Sequence, residues 1–314
     1  MTRILISGAG AFGTALSLVL NKAGKDVTLI ARNSNDINSR QVSSYLPNIE
    51  IPSSLKIVDH VAMTPEDILL LAIPMQNLKE YMTSLDKTPK VIIACCKGIE
   101  LGTGKGPTEI IRDRIGSKSA ILTGPSFALD IAKGLPAALT LATTHEDLGL
   151  ELQKQLSTET IRLYLSPDPV GAELGGALKN VIAIACGMCL GAGFGESARA
   201  ALMTRGFTEM VRLAVKMGAK QETLNGLSGF GDLVLTCTSS KSRNFSFGFS
   251  LGANLSWSPE TTVEGRATAK AVLGLSDAYK LEMPITNAVA KIIDGTVSVK
   301  ETLNELLKRP LKNE

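Results

Sequence analysis

The sequence predicts an α/β chain of two domains, a doubly wound, mostly parallel sheet over residues 1–168 and an all-helical domain over residues 169–314. Three observations predict it. Apolar runs in the first half are continuous rather than alternating, as expected of strands covered on both faces. A glycine-rich turn joins the first of these runs to a helical pattern. Beyond Leu165-Ser166-Pro167-Asp168-Pro169 the strand signals fade and helical periodicity takes over. The 314 residues suit two domains of roughly 150 each, and 44% hydrophobic with 20% charged residues supplies a large core.

The elements follow in order. Arg3-Ile4-Leu5-Ile6-Ser7 is a short β-rich run bounded by glycine. Gly8-Ala9-Gly10-Ala11-Phe12-Gly13 then fits G-x-G-x-x-G. Residues 14–23 carry Leu16, Val19, Leu20 and Ala23 at helical spacing, Gly24 stops the helix, and residues 26–31 form a second strand. Placed between strand and helix, the motif points to a Rossmann-like domain that binds a dinucleotide. Gly8 permits the tight turn, Gly10 lets the backbone approach a pyrophosphate, and Gly13 lets helix pack on strand. The helix start offers free N–H groups to the phosphates. An NAD site carries Asp or Glu at the end of the second strand, but Arg32 stands there, nineteen residues after Gly13. A cation accepts a ribose 2′-phosphate, so NADP(H) is the expected cofactor with NAD(H) possible; a solvated surface arginine is the alternative.

Further strands are expected over 68–74, 91–96, 120–122, 137–143 and 161–165, with helices between them over 75–84 and 107–115. Ligands of such a sheet lie outside the carboxyl ends of its strands. Three loops there carry polar residues or glycine: the glycine turn, Lys97-Gly98 and Gly124-Pro125-Ser126.

The second half reads as helices over 171–190, 197–217, 245–251, 268–279, 285–293 and 299–307. Lys179-Asn180 falls in the middle of the first, among apolar and small residues. A lysine there either snorkels to the surface or is buried for use as a proton donor or acceptor, since desolvation lowers its pKa. Residues 225–232 are glycine-dense and end in a carboxylate, Asp232. Ser242-Arg243-Asn244 precedes a helical run and offers a hydroxyl, a guanidinium and helix N–H groups to an anion; either cluster is otherwise an ordinary loop or cap.

Composition excludes several classes. Thirty-three basic against thirty acidic residues leave +3, too little for non-specific nucleic-acid binding or a polybasic membrane patch. No uninterrupted apolar run reaches the roughly 18 residues of a membrane span, and residues 180–195 are broken by four glycines. The chain enters its first strand pattern at once, which leaves no room for a signal peptide. Five cysteines build no disulfide framework, so a reducing cytoplasm is expected. Cys186-Gly187-Met188-Cys189 has no second pair and no nearby histidine, and two histidines in all argue against a metal site.

Taken together, several segments resemble the soluble bacterial NAD(P)-dependent glycerol-3-phosphate dehydrogenases. They are the glycine turn, Cys96-Lys97-Gly98-Ile99-Glu100, Thr123-Gly124-Pro125-Ser126-Phe127-Ala128, Gly175-Gly176-Ala177-Leu178-Lys179-Asn180-Val181-Ile182-Ala183-Ile184, Gly229-Phe230-Gly231-Asp232-Leu233-Val234-Leu235-Thr236-Cys237, Ser242-Arg243-Asn244 and Val263-Glu264-Gly265. They cover nearly the whole chain in the family's order. The resemblance implies reversible reduction of dihydroxyacetone phosphate to sn-glycerol 3-phosphate, the backbone of glycerophospholipids, by a cytoplasmic homodimer. It implies that Lys179 is the proton acceptor or donor, with Asp232 orienting it. Lys97, Gly124, Ser126, Asn180, Asp232, Ser242, Arg243 and Asn244 are expected to line the substrate site. Cofactor contacts are expected from Ala11, Phe12, Arg32, Lys97, Ala128, Arg243 and Glu264 beside the three glycines. Two departures are Ala11-Phe12, where many members carry a hydroxyl or a larger aromatic, and a shortened stretch between Gly252 and Val263. A ketopantoate- or 3-hydroxyacid-type reductase shares the layout but takes a carboxylate; a redox-sensing dinucleotide module would need neither Lys179 nor Asp232.

Overall fold

In the computed structural model, which describes residues 2–116, 118–259 and 261–307, the chain divides into two compact units. One is Met1–Lys97 with Gly106–Glu173, the other Gly98–Lys105 with Leu174–Glu314. The short segment 98–105 thus groups with the second unit although its neighbours on either side group with the first.

The first unit is built on strands β1 (Ile4–Ser7), β2 (Val27–Ile30), β3 (Val42–Ser43), β4 (Leu46–Glu50), β5 (Lys56–Val58), β6 (Ile68–Leu71), β7 (Val91–Ala94), β8 (Ser119–Thr123), β9 (Ala137–Ala142) and β10 (Ile161–Ser166). Its helices are α1 (Ala11–Lys22), α2 (Ser34–Arg40), α3 (Leu78–Ser84), α4 (Pro107–Ile115), α5 (Ala128–Ala132) and α6 (Glu146–Leu156). Eight strands form one sheet in the order β10-β9-β8-β7-β6-β1-β2-β5, and β3 pairs with β4 as a separate hairpin. Every pairing in the large sheet is parallel except β8 with β9. The continuous apolar runs have the expected cause. Ile4, Ile6, Ile68 and Leu70 face one core while Leu5, Leu69 and Leu71 face another, so both sides of each central strand are buried.

Strand order reverses at β1, which pairs with β2 on one side and β6 on the other. This is where an open α/β sheet leaves a crevice at its carboxyl ends. A bidentate ion pair anchors the opposite end: Arg3 donates Nε and Nη2 to the two oxygens of Asp67 at 2.9 and 2.6 Å, just ahead of β1 and β6.

The second unit takes most of α7 (Pro169–Gly191), then α8 (Gly195–Lys216), α9 (Gln221–Asn225), α10 (Asp232–Cys237), α11 (Arg243–Gly252), α12 (Glu264–Ala278), α13 (Pro284–Ile293) and α14 (Val299–Leu307). A π-helical turn, Leu227–Gly231, leads into α10. Helix α7 is apolar on all sides because it is the core of this unit, with Val181, Ile182, Ile184, Ala185 and Met188 packed against Leu233, Phe245, Phe247 and Val289. By length and composition α7 could cross a bilayer, contrary to the sequence count that took its glycines as breaks; its most apolar stretch is 89% buried inside the fold.

The glycines do not break α7; they admit another helix. A Cβ on Gly187 would lie 2.0 Å from the Phe245 carbonyl oxygen, and one on Gly191 2.2 Å from that of Phe249. The relation is reciprocal. A Cβ on Gly248 would lie 2.0 Å from the Ile184 oxygen, and one on Gly252 2.3 Å from the Met188 oxygen. Helices α7 and α11 therefore touch backbone to backbone. Beyond α11, Trp257 lies edge-on to Phe247 of that helix at 5.6 Å.

Two buried glutamates cap helices from a distance. Glu173 accepts from the Thr108 N–H at 3.0 Å and its hydroxyl at 2.6 Å, closing the start of α4. A Cβ on Gly106 would meet the same carboxylate at 2.2 Å, so a side chain there would displace Glu173 from its place at the start of α4. Glu209 does likewise for α13, accepting from the backbone of Ile285 at 2.7 Å and Thr286 at 3.2 Å. Both helices begin with proline, which has no N–H to satisfy, so the carboxylates reach the next donors.

Burial pushes the Glu173 carboxyl up from 4.5 to about 7, outweighing the two Thr108 hydrogen bonds; Glu109 adds to the rise and Arg112 opposes it. A pKa raised in the folded state makes this group's contribution to stability largest below about pH 4.5 and lost as pH climbs to about 7. The change is on the order of 3 kcal/mol at roughly 1.4 kcal/mol per pH unit. In urea unfolding across that interval, Glu173→Gln is expected to lose less stability with rising pH than the parent protein. Parallel profiles would contradict the assignment.

Candidate active site

The glycine turn lies at the reversal point of the sheet. Gly8 has φ +107°, a conformation that side chains rarely adopt, and a Cβ there would strike the Ala72 carbonyl oxygen at 2.5 Å. A Cβ on Gly13 would lie 2.0 Å from the Gly8 oxygen, which lets α1 sit directly on the turn. Gly10 faces open space, with nothing within 4 Å of an added Cβ. It is the N-cap of α1, no side chain caps it, and the first turn contains no acid. The N–H groups of Ala11 and Phe12 precede any intrahelical acceptor. A turn that admits backbone-close approach, with free donors and no competing carboxylate, fits the pyrophosphate of a dinucleotide. Arg32, just past the end of β2, is exposed. Among the other first-unit residues singled out, Lys97 beyond β7 donates Nζ to the Gly124 oxygen at 3.3 Å, and the Ser126 hydroxyl lies 3.5 Å from the same oxygen. Gly124 has φ +139°, and Ala128 opens α5.

The remaining residues gather in the second unit, around α7. Lys179 is buried, 5% exposed, and its ammonium donates to Asp232 Oδ1 at 2.5 Å and to Thr236 Oγ1 at 2.7 Å. The question of a snorkelling or a buried lysine is decided by that partner pair. Asp232 is 1% exposed. Thr236, one turn further along α10, lies 3.4 Å from Asp232 Oδ1, so ammonium, carboxylate and hydroxyl form a closed triangle. Thr236 lies in the segment 229–237 that carried the resemblance but was given no role there; its position four residues after Asp232 on one helix face was the signal for one. The glycine-dense segment is helical rather than a loop. Its turn fits against α7 because a Cβ on Gly175 would meet the Ser228 oxygen at 2.6 Å. One α7 turn after Gly175 comes Lys179, and one residue after the π-helical turn comes Asp232.

Asn180 and Asn244 meet in the same unit: Asn244 donates Nδ2 to Asn180 Oδ1 at 2.9 Å. Ser242 is the N-cap of α11, its hydroxyl accepting from the Phe245 N–H at 3.2 Å. Arg243 is exposed at the first position of that helix and Glu264 opens α12, with Gly265 next to it accepting no side chain. All five cysteines are buried and none is disulfide-bonded. Burial pushes the Cys95 thiol up to about 12 and Cys189 to about 11, so both are neutral thiols rather than nucleophiles.

An ammonium held among a carboxylate and a hydroxyl in an apolar interior can give or take a proton at an adjacent oxygen, and an exposed guanidinium at a helix start can hold an anion. Comparison with known proteins gives the family. The family model described as NAD-dependent glycerol-3-phosphate dehydrogenase N-terminus matches residues 3–149, and its C-terminus counterpart matches residues 168–304. A curated glycerol-3-phosphate dehydrogenase (NAD(P)+) of Roseobacter denitrificans is 51% identical over 317 residues, covering 98% of this chain and 99% of the relative. That of Cereibacter sphaeroides is 50% identical over 312 residues, with 98% and 99% covered. The solved structure of glycerol-3-phosphate dehydrogenase from Coxiella burnetii matches with a TM-score of 0.91 at 35% identity, over 98% of this chain and 99% of that one.

The triangle has a stability signature. Asp232→Ala leaves a buried ammonium without its carboxylate and is expected to cost about 3–5 kcal/mol, whereas adding Lys179→Met to that change should recover most of the loss. Thermal unfolding of the two variants checks this; a double variant no more stable than the single one would refute the buried-pair account.

Proposed function

The chain belongs to the NAD-dependent glycerol-3-phosphate dehydrogenase family, and we propose that its site residues carry out that family's reaction as follows. Dihydroxyacetone phosphate is reduced to sn-glycerol 3-phosphate, reversibly, with NADPH or NADH, which supplies the backbone of glycerophospholipids. The bound reduced nicotinamide supplies a hydride to the ketone carbon. Lys179 holds the ketone oxygen by hydrogen bond, stabilises the negative charge that grows there, and gives it a proton. The reacting oxygen becomes a neutral hydroxyl; in the reverse direction the amine takes the proton back. Asp232 and Thr236 fix the direction of the Nζ–H bonds, and Asp232 balances the ammonium charge. The observation that carries this reading is the buried Lys179–Asp232–Thr236 triangle, which stability alone does not call for, since a well-packed apolar core does as well or better without a buried ion pair.

Arg243 and the start of α11 hold the substrate phosphate by charge-assisted bonds, with Ser242 and Asn244 beside them. Lys97, Gly124 and Ser126 complete the substrate contacts in this reading. The dinucleotide is held by Gly8, Gly10, Ala11, Phe12 and Gly13 at its phosphates, with Lys97, Ala128, Arg243 and Glu264 contributing further contacts. Arg32 takes the 2′-phosphate. A cytoplasmic location accords with five cysteines outside any disulfide. The assembly is a homodimer, and the ring of Phe230, 46% exposed and packed on Phe207, is apolar surface that such an assembly would cover.

Lys179→Ala is expected to keep NADPH binding and lose at least about two orders of magnitude in kcat with dihydroxyacetone phosphate, followed as NADPH oxidation. Near-normal turnover would remove Lys179 from its role, and a parent enzyme that prefers a 2-keto acid would replace the substrate assignment. Arg32→Asp is expected to shift the NADPH/NADH ratio of kcat/KM toward NADH by about tenfold or more, the loss of one charge-assisted contact; an unchanged ratio would take Arg32 out of cofactor selection.

A further inference from the structure

Three helices of the second unit are tied at one point. Asn180 on α7 uses its Nδ2 on the Gly176 oxygen of its own helix at 3.3 Å, which fixes the amide so that Oδ1 points away. That oxygen accepts from Asn244 Nδ2 on α11 at 2.9 Å, and Asn244 Oδ1 in turn accepts from the Gly265 N–H of α12 at 3.0 Å. Gly265 must be glycine here. A Cβ would lie 2.8 Å from the Asn180 carbonyl oxygen, 2.8 Å from Asn244 Oδ1 and 2.7 Å from Ile184 Cδ1. Asn180 is buried, and the backbone contact of α7 with α11 brings Asn244 within reach of it.

Each member of this chain directly follows a residue with a proposed role: Lys179 precedes Asn180, Arg243 precedes Asn244, and Glu264 precedes Gly265. We propose that the Asn180–Asn244–Gly265 relay is a positioning device that sets the spacing between the proton-transferring lysine, the phosphate-holding arginine and the cofactor-contacting glutamate. The inference rests on the functional reading above and deepens it. Both asparagines were expected as substrate ligands; the relay already engages the Asn180 amide at both ends and the Asn244 oxygen with one of its N–H groups. A substrate whose phosphate sits at Arg243 and whose ketone oxygen sits at Lys179 measures that spacing, and misplacement by about 1 Å is enough to cost on the order of 100-fold in rate.

The test is a double-mutant cycle read by two assays. Asn180→Ala breaks only the α7–α11 link. It is expected to lower kcat/KM for dihydroxyacetone phosphate about 10- to 100-fold and to leave the NADPH dissociation constant, measured by fluorescence without substrate, within about twofold. Asn244→Ala breaks both links and is expected to weaken NADPH about fivefold as well. The double variant should match Asn244→Ala, because one bond is lost only once. Losses that multiply would show two independent ligands and overturn the relay, as would NADPH affinities that are equal in the two single variants. A drop in melting temperature with unchanged kinetic constants would mark a purely structural tie and overturn it too. If Asn244→Ala does not fold, Asn244→Asp keeps the acceptor for Gly265 and loses the donor to Asn180, so it should reproduce the kinetic loss of Asn180→Ala; near-parental kcat/KM would refute the proposal. A parent protein that does not turn over dihydroxyacetone phosphate sinks the functional reading by itself, while the NADPH titrations still decide the relay.

Discussion

An ammonium in an apolar interior is the constraint around which the second unit is organised. Moving a charge of that size out of water costs several kcal/mol even after relaxation, and attraction to one carboxylate offsets this only when geometry is good and the remaining protons are bonded. Lys179 has close geometry to Asp232 and a second bond to Thr236. Keeping the pair dry then requires a helix that is apolar all round, and α7 is that helix. Delivering Asp232 to it requires a backbone that can come close, which is what Gly175 and the π-helical turn provide. The chemistry and the packing are one arrangement described at two scales.

The first unit solves a different problem, how to let phosphate approach main chain. Its central strands spend their side chains on two cores, and the ligand-facing end is left to glycines with no side chain to place there. Charge in the interior is handled the same way in both units. Glu173 and Glu209 each give a buried carboxylate to the orphan donors of a proline-started helix, which satisfies the helix and the acid together.

Much of this was legible from the residues. Unalternated apolar runs identified the central strands to within a few residues, because a strand buried on both faces leaves no other pattern. The glycine turn was readable because each glycine answers a separate steric demand. Less local features were hidden. The antiparallel pairing of β8 with β9 depends on a short connection that carries only α5, and nothing in either strand's composition reports direction. The strand β5 and helices α2 and α6 have weak or polar patterns at the sheet margin and were not anticipated. Glycines in residues 180–195 looked like interruptions, since sequence alone cannot show that a second helix fills the space they leave. The Asn180–Asn244 bond was out of reach for the same reason, since it joins positions 64 residues apart; Thr236 stood one helical turn from Asp232, but nothing local showed that Lys179, 57 residues away, would meet it.

The crossing of α7 and α11 carries a consequence of its own. Gly187 and Gly248 sit inside helices, where each forgoes about 1 kcal/mol of propensity relative to alanine. What is obtained is a joint made of peptide groups alone. Such a joint has no rotamers to exchange and no side-chain volume for nearby substitutions to alter. Its thickness is fixed by covalent dimensions, so drift elsewhere in the core erodes melting temperature before it changes the separation of α7 and α11.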